Sequence, residues 1–180
     1  VSADQALMMT DALATAWFGA RNADIKPGSS VAVIGLGPIG LMAVDSAFVM
    51  GAHVVYAIDP IAERRAMAAQ AGAIALHPDD AMDRVKEDTK GRKLDCVIEV
   101  VGSDATVDFA LHLVRRRGTV SVIGVQQSRR FPFPLERAFA AGLTFRAGTC
   151  SVPEELPTLF PLVQSGRLQP EKYISHRLPL

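Results

Sequence analysis

The sequence predicts an α/β fold: one doubly wound, parallel, six-stranded sheet with helices on both faces. Three observations carry that expectation. Short β-branched runs alternate with longer helical segments along the chain. The runs VAVI, HVVYAI and LDCVIEV are almost continuously apolar, as strands covered on both faces require. A glycine-rich turn separates the first of these runs from a helical segment.

Each element has its own signal. Asp4–Ala20, rich in Ala, Leu and Met, reads as one helix. Pro27-Gly28 marks a turn. Val31–Ile34 is the first strand, and Pro38–Met50 the helix after it, with Pro38 in the first turn where a missing N–H costs little. His53–Ile58 is the second strand. Ile61–Ala71 is a helix that Gly72 can cap. Ile74–Leu76, Leu94–Val100 and Thr119–Ile123 are the third to fifth strands, separated by helices at Asp79–Thr89 and Ala105–Val114. The proline-broken loop Phe131-Pro132-Phe133-Pro134 leads into a helix at Leu135–Ala141. Leu143–Arg146 is the sixth strand and Pro153–Ser165 the last helix. The final segment, Tyr173–Leu180, reads as a further strand centred on Ile174–Arg177. A chain that stops on a strand is expected to be cut from a longer one.

The bulk numbers set limits. A length of 180 residues fits one domain, and 49% hydrophobic residues suffice for a sizeable core. Lys+Arg and Asp+Glu both count 19, so the formal charge is zero and neither nucleic acid nor an anionic membrane is expected as partner. Apolar stretches are broken well before bilayer-spanning length, and VSADQALMMTD opens without a basic leader. Cys96 and Cys150 make no disulfide framework. The expectation is a soluble, cytoplasmic domain.

Chemistry concentrates in Gly35-Leu36-Gly37-Pro38-Ile39-Gly40, a G-x-G-x-x-G between strand and helix. Gly35 allows the tight turn, Gly37 lets a pyrophosphate approach the backbone, and Gly40 lets the helix pack close to the sheet. The helix end beyond offers free N–H groups and a positive dipole end. Asp59 closes the second strand, about twenty residues after the loop, where a carboxylate accepts from adenosine ribose hydroxyls and repels a 2′-phosphate. Loop and acid together predict a dinucleotide site that favours NAD. Arg64, on the next helix, lies within reach of the same ribose and softens the rejection of NADP, whereas Arg65 reads as part of a solvated face.

Beyond these residues, the chain resembles the medium-chain, zinc-dependent alcohol dehydrogenases. LMMTDALATAWFGA at Leu7–Ala20, IKPG at Ile25–Gly28, SVAVIGLGPIGLMAV, DCVIEVVG at Asp95–Gly102, GTVSVIGV at Gly118–Val125, LTFRAG at Leu143–Gly148 and LVQSGRL follow that family's order. The resemblance implies a Rossmann fold whose residues 1–24 connect to a preceding GroES-like catalytic domain. It implies reversible hydride transfer between an alcohol and NAD, and assembly as a homodimer or homotetramer through edge strands such as Leu143–Arg146. It also implies that Asp11 is a zinc ligand, the other ligands lying outside this segment, and that this segment alone is inactive. Thr15, one helical turn on, then lies beside the nicotinamide and is the one catalytic candidate. Ile39 packs on the nicotinamide, and backbone at Val101-Gly102, Gly124-Val125 and Gly148 lines its carboxamide.

Other readings stay open. A zinc-free quinone or enoyl reductase would use NADPH and needs neither Asp11 nor Asp59. A pure dinucleotide-binding module would do no chemistry. A short-chain dehydrogenase needs Tyr-x-x-x-Lys, and neither Tyr56 nor Tyr173 has Lys four residues on. Cys96 reads as a small buried hydrophobe, and Cys150 as a thiol without an activating base.

Overall fold

The β-branched runs lie side by side. The structure is a computed structural model that describes residues 1–128 and 130–178. Strands β1 (Ser30–Ile34), β2 (Val54–Ile58), β3 (Ile74–Leu76), β4 (Leu94–Glu99), β5 (Val114–Val122) and β6 (Thr144–Ala147) form one sheet in the order β3-β2-β1-β4-β5-β6. All neighbours are parallel. The helices are α1 (Ala3–Met9), α2 (Ala12–Asn22), α3 (Pro38–Val49), α4 (Ala62–Gln70), α5 (Pro78–Asp88), α6 (Asp104–Leu113), α7 (Leu135–Ala141) and α8 (Val152–Gln164).

Alternation along each strand explains why the strand runs are apolar throughout. Val31, Val33, Val55 and Ala57 face a core built with α2, α3 and α8. Ala32, Ile34, Tyr56 and Ile58 face the other core, built with α5 and α6. Both side-chain sets are buried, so both are mainly apolar. The strand order reverses between β1 and β4, which opens a crevice at the carboxyl ends of those strands.

Three segments differ from expectation. The single helix at Asp4–Ala20 is two, broken at Thr10-Asp11. The Thr10 hydroxyl donates to Leu7 O at 2.6 Å and closes α1, the local competition with helix propagation that short hydroxyl side chains offer. β5 starts at Val114, directly after α6, rather than at Thr119, with a register shift between Leu94 and Cys96. The strand expected at Ile174–Arg177 is absent; a 3-10 turn at Pro170–Tyr173 precedes irregular chain. Side chains hold that segment instead. Tyr173 Oη donates to Asp45 on α3 at 2.9 Å, and Arg177 pairs with Asp4 on α1. Pro179 and Leu180 of the expected strand lie outside the described residues. The last helix lies where expected, as α8, and runs through Pro157 and Pro161. With Pro153 these recur every fourth residue on the exposed face, where water can satisfy the carbonyls that proline leaves unbonded.

At the amino ends of the strands Asp95 ties β1 to β4. Its Oδ2 accepts from the Ser30 amide at 2.8 Å and the Ser30 hydroxyl at 2.7 Å, and its Oδ1 from Arg115 Nε at 2.6 Å. Burial pushes this carboxyl up, but the Ser30 and arginine contacts outweigh it and bring it from 3.8 down to about 2. A carboxyl depressed in the folded state adds stability that is present above its unfolded value and is lost as pH falls through its folded value. Asp95→Asn is therefore expected to cost about 1 kcal/mol at neutral pH, after discounting for solvent screening. In urea unfolding the deficit should shrink from pH 3.8 downward and vanish below about 2. A deficit constant across pH would contradict this account.

Candidate functional site

The glycine loop leaves the carboxyl end of β1. Gly35 N donates to Ile58 O at 2.9 Å, which carries the β1–β2 pairing one residue past the strands. Gly35 has φ +90°, and a Cβ there would meet the Val101 side chain at 2.6 Å. Gly37 is the N-cap of α3, with Pro38 opening the helix. A Cβ on Gly37 would enter open space, whereas one on Gly40 would stand 1.9 Å from Gly35 O. The close approach at Gly40 is thus to Gly35, which directly follows β1, with the Val33 side chain of β1 at 3.9 Å.

Asp59 is buried at the carboxyl end of β2. Its Oδ2 accepts the amide N–H of Leu36, inside the loop, at 2.7 Å, and its Oδ1 accepts that of Ile61 at 2.8 Å. The carboxylate therefore fixes the loop against the end of the sheet and leaves lone pairs for further donors. Arg64 Nη1 stands 3.5 Å from Asp59 Oδ2, with its side chain 45% exposed. Arg65 departs from its reading as a solvated residue. Its Nη1 donates to the carbonyls of Asp59 and Pro60, at 2.8 Å each, and braces the turn between β2 and α4.

These residues border one cleft of about 520 Å³, lined by Gly35, Gly37, Pro38, Ile39, Gly40, Asp59, Arg64 and Val101 among others. Thr106 and Phe109, which the sequence did not single out, line it too. Its walls are mostly apolar with few polar groups, the usual character of a small-molecule site. Gly124, Val125 and Gly148 border a second apolar cleft of about 500 Å³ instead, with Phe131, Phe133 and Phe145. Gly102 lies where the two walls meet: a Cβ there would be 2.1 Å from Val125 O.

Asp11 stands in the break between α1 and α2. It is exposed and makes no capping hydrogen bond, and among the described residues its carboxylate accepts only a long bond, from the Thr15 hydroxyl at 3.4 Å. An unengaged carboxylate suits a metal ligand, but no cluster of three or more His, Cys, Asp or Glu occurs among the described residues. One ligand does not hold a zinc ion. Cys150 lies near enough to feel the Asp11 charge; burial first, then Glu155 and Asp11, raise its thiol. Burial likewise pushes the Cys96 thiol up to about 11, so neither cysteine is an activated nucleophile. No described helix is long and apolar enough to cross a membrane.

Glu99 was missed. It ends β4 fully buried, bonded to the turn that follows. An acid inside the apolar run LDCVIEV was the available signal.

Comparison with known proteins gives a consistent result. Residues 38–165 match the family model described as zinc-binding dehydrogenase. A probable zinc-binding alcohol dehydrogenase of Mycobacterium tuberculosis is 44% identical over 100% of this chain and 47% of its own. The alcohol dehydrogenase TADH from Thermus sp. ATN1 superposes with a TM-score of 0.94 at 43% identity, over 98% of this chain and 53% of that one. A putative zinc-binding dehydrogenase from Sinorhizobium meliloti, bound to NADP, gives a TM-score of 0.87 at 27% identity, over 95% of this chain and 51% of that one. The chain thus spans about half the length of these relatives.

Proposed function

Since the chain belongs to the zinc-binding dehydrogenase family, we propose that it is the NAD-holding part of a zinc-dependent alcohol dehydrogenase. One observation carries the cofactor reading: a buried Asp59 bonded to the glycine loop at 2.7 Å, on the border of the cleft. Its free lone pairs accept ribose hydroxyls. The loop amides and the start of α3 take the pyrophosphate, with Pro38 shaping that entry. Ile39 and Thr15 flank the nicotinamide, and backbone at Val101, Gly102, Gly124, Val125 and Gly148 orients its carboxamide.

The chain's contribution is position: it holds the cofactor's reactive end and excludes water from one side. Nicotinamide, when bound, supplies a two-electron hydride acceptor. Asp11 supplies one ligand toward a zinc whose other ligands come from outside these residues, and Lewis-acid polarisation of the alcohol oxygen is the chemistry such a metal supplies. Substrates are small alcohols, aldehydes or ketones. The β6 edge is the expected pairing face for a homodimer or homotetramer.

A second reading, NADP use, is favoured by Arg64. Its half-exposed guanidinium beside Asp59 matches a 2′-phosphate, and one relative is bound to NADP.

Alcohol oxidation by the full-length protein tests the proposal. We expect NAD-dependent turnover of primary or secondary alcohols that a zinc chelator abolishes. Chelator-insensitive reduction of quinones or enones with NADPH would replace it with the zinc-free reductase reading. Cofactor binding without any hydride transfer would leave a binding module.

A further inference from the structure

Glu99 lies at the end of β4, 0% exposed, in a strand otherwise suited to apolar packing. It does not line the cofactor cleft. Three donors converge on one of its oxygens. Oε1 accepts the amide N–H of Val101 at 2.8 Å and of Gly102 at 2.9 Å, and the Thr106 hydroxyl at 2.8 Å. Its backbone carbonyl accepts two more, from the amides of Ile123 at 2.9 Å and Gly124 at 3.1 Å. One residue therefore gathers the turn after β4 and the turn after β5.

Those turns are in backbone contact. A Cβ on Gly124 would stand 2.2 Å from Gly102 N, and Gly102 O accepts the Gln127 amide at 3.0 Å. Val101, held by Glu99, packs in turn against Gly35 of the glycine loop. The other carboxylate oxygen, Oε2, is buried with no hydrogen-bond partner among the described residues. An unpartnered buried carboxylate oxygen destabilises a fold, so stability alone does not account for an acid here.

We propose that Glu99 is a positioning residue for the nicotinamide end of the cofactor. It acts through backbone, by fixing Val101-Gly102 and, through their contact, Gly124-Val125. Thr106 orients its Oε1. The inference rests on the dinucleotide reading above.

Calorimetric titration of the chain with ADP, which lacks the nicotinamide end, and with NADH separates this role from a general one. Glu99→Ala is expected to weaken NADH about tenfold or more while ADP stays within about twofold. Glu99→Gln keeps a carbonyl oxygen for the three donors and should bring NADH back to within about threefold of the original. Thr106→Val should fall between the two. Parallel losses for ADP and NADH, or no loss of NADH in Glu99→Ala, would overturn the proposal. Should Glu99→Ala fail to melt cooperatively, Thr106→Val decides: a loss selective for NADH supports it, and no selectivity overturns it. A wild-type chain that binds neither ligand would remove the dinucleotide reading itself, and this inference with it, before any variant is needed.

Discussion

Gly40→Ala is expected to break the glycine loop, whereas Gly37→Ala leaves the fold intact and costs only the ligand. The two positions share a motif but not an environment. A methyl on Gly40 would stand 1.9 Å from Gly35 O, and neither atom belongs to a side chain that can swing away. Relieving that overlap means moving the loop or the first turn of α3, at about 3 kcal/mol or more. For a chain of this length the melting temperature should fall by about 6–12 °C. A methyl on Gly37 meets nothing within 4 Å, so its melting temperature should stay within about 2 °C. That open space is where the pyrophosphate approaches in the proposed complex, so NADH should bind about tenfold more weakly or worse. Thermal melts with NADH titration check both variants. Equal melting temperatures for the two would contradict the loop geometry, and unimpaired NADH binding by Gly37→Ala would contradict the phosphate site.

Asp59→Ala should show the second large effect, and it should appear before any cofactor is added. The carboxylate accepts one backbone N–H from the loop and one from the turn after β2, at 2.7 and 2.8 Å. Its removal leaves both donors unpaired beside a cleft, at about 2–4 kcal/mol in total. Chemical denaturation of the unliganded variant measures this directly. Lost NADH binding in this variant therefore reports loop order as well as the ribose contact. Asp59→Asn divides the two, since its carboxamide oxygen can still accept one of the N–H groups. We expect about half the destabilisation and a weakened preference for NADH over NADPH. An Asp59→Ala variant as stable as the parent would contradict the structural half of this assignment.

Both effects were partly legible in the sequence. The glycine loop and Asp59 were readable because their meaning is local: a buried strand, a turn and a helix in fixed order. The central strands β1, β2 and β4 were readable from β-branched runs, since a strand covered on both faces is built mainly of apolar residues. What escaped was set by contacts distant in sequence or by single hydroxyls. The break at Thr10-Asp11 depends on a hydroxyl turning back to Leu7 O. The segment Ile174–Arg177 has the alternation of a strand, but the sheet gives it no partner among the described residues, and ion pairs to α1 and α3 hold this end of the chain instead. Arg65 looked solvated because sequence cannot show that its head folds back on two carbonyls. Glu99 was visible as an acid out of place in an apolar run, but its partners come together only when the turns after β4 and β5 meet.

Titration of the unmodified chain with NADH and NADPH, under one set of conditions, tests the central claim most directly. Asp59 and Arg64 pull in opposite directions at the adenosine ribose, and the buried carboxylate is fixed by two backbone amides whereas the guanidinium is half exposed. The account predicts that both ligands bind and that NADH binds at least about tenfold more tightly. NADPH binding as tightly as NADH or more so would mean that Arg64 governs the ribose site, and would contradict it.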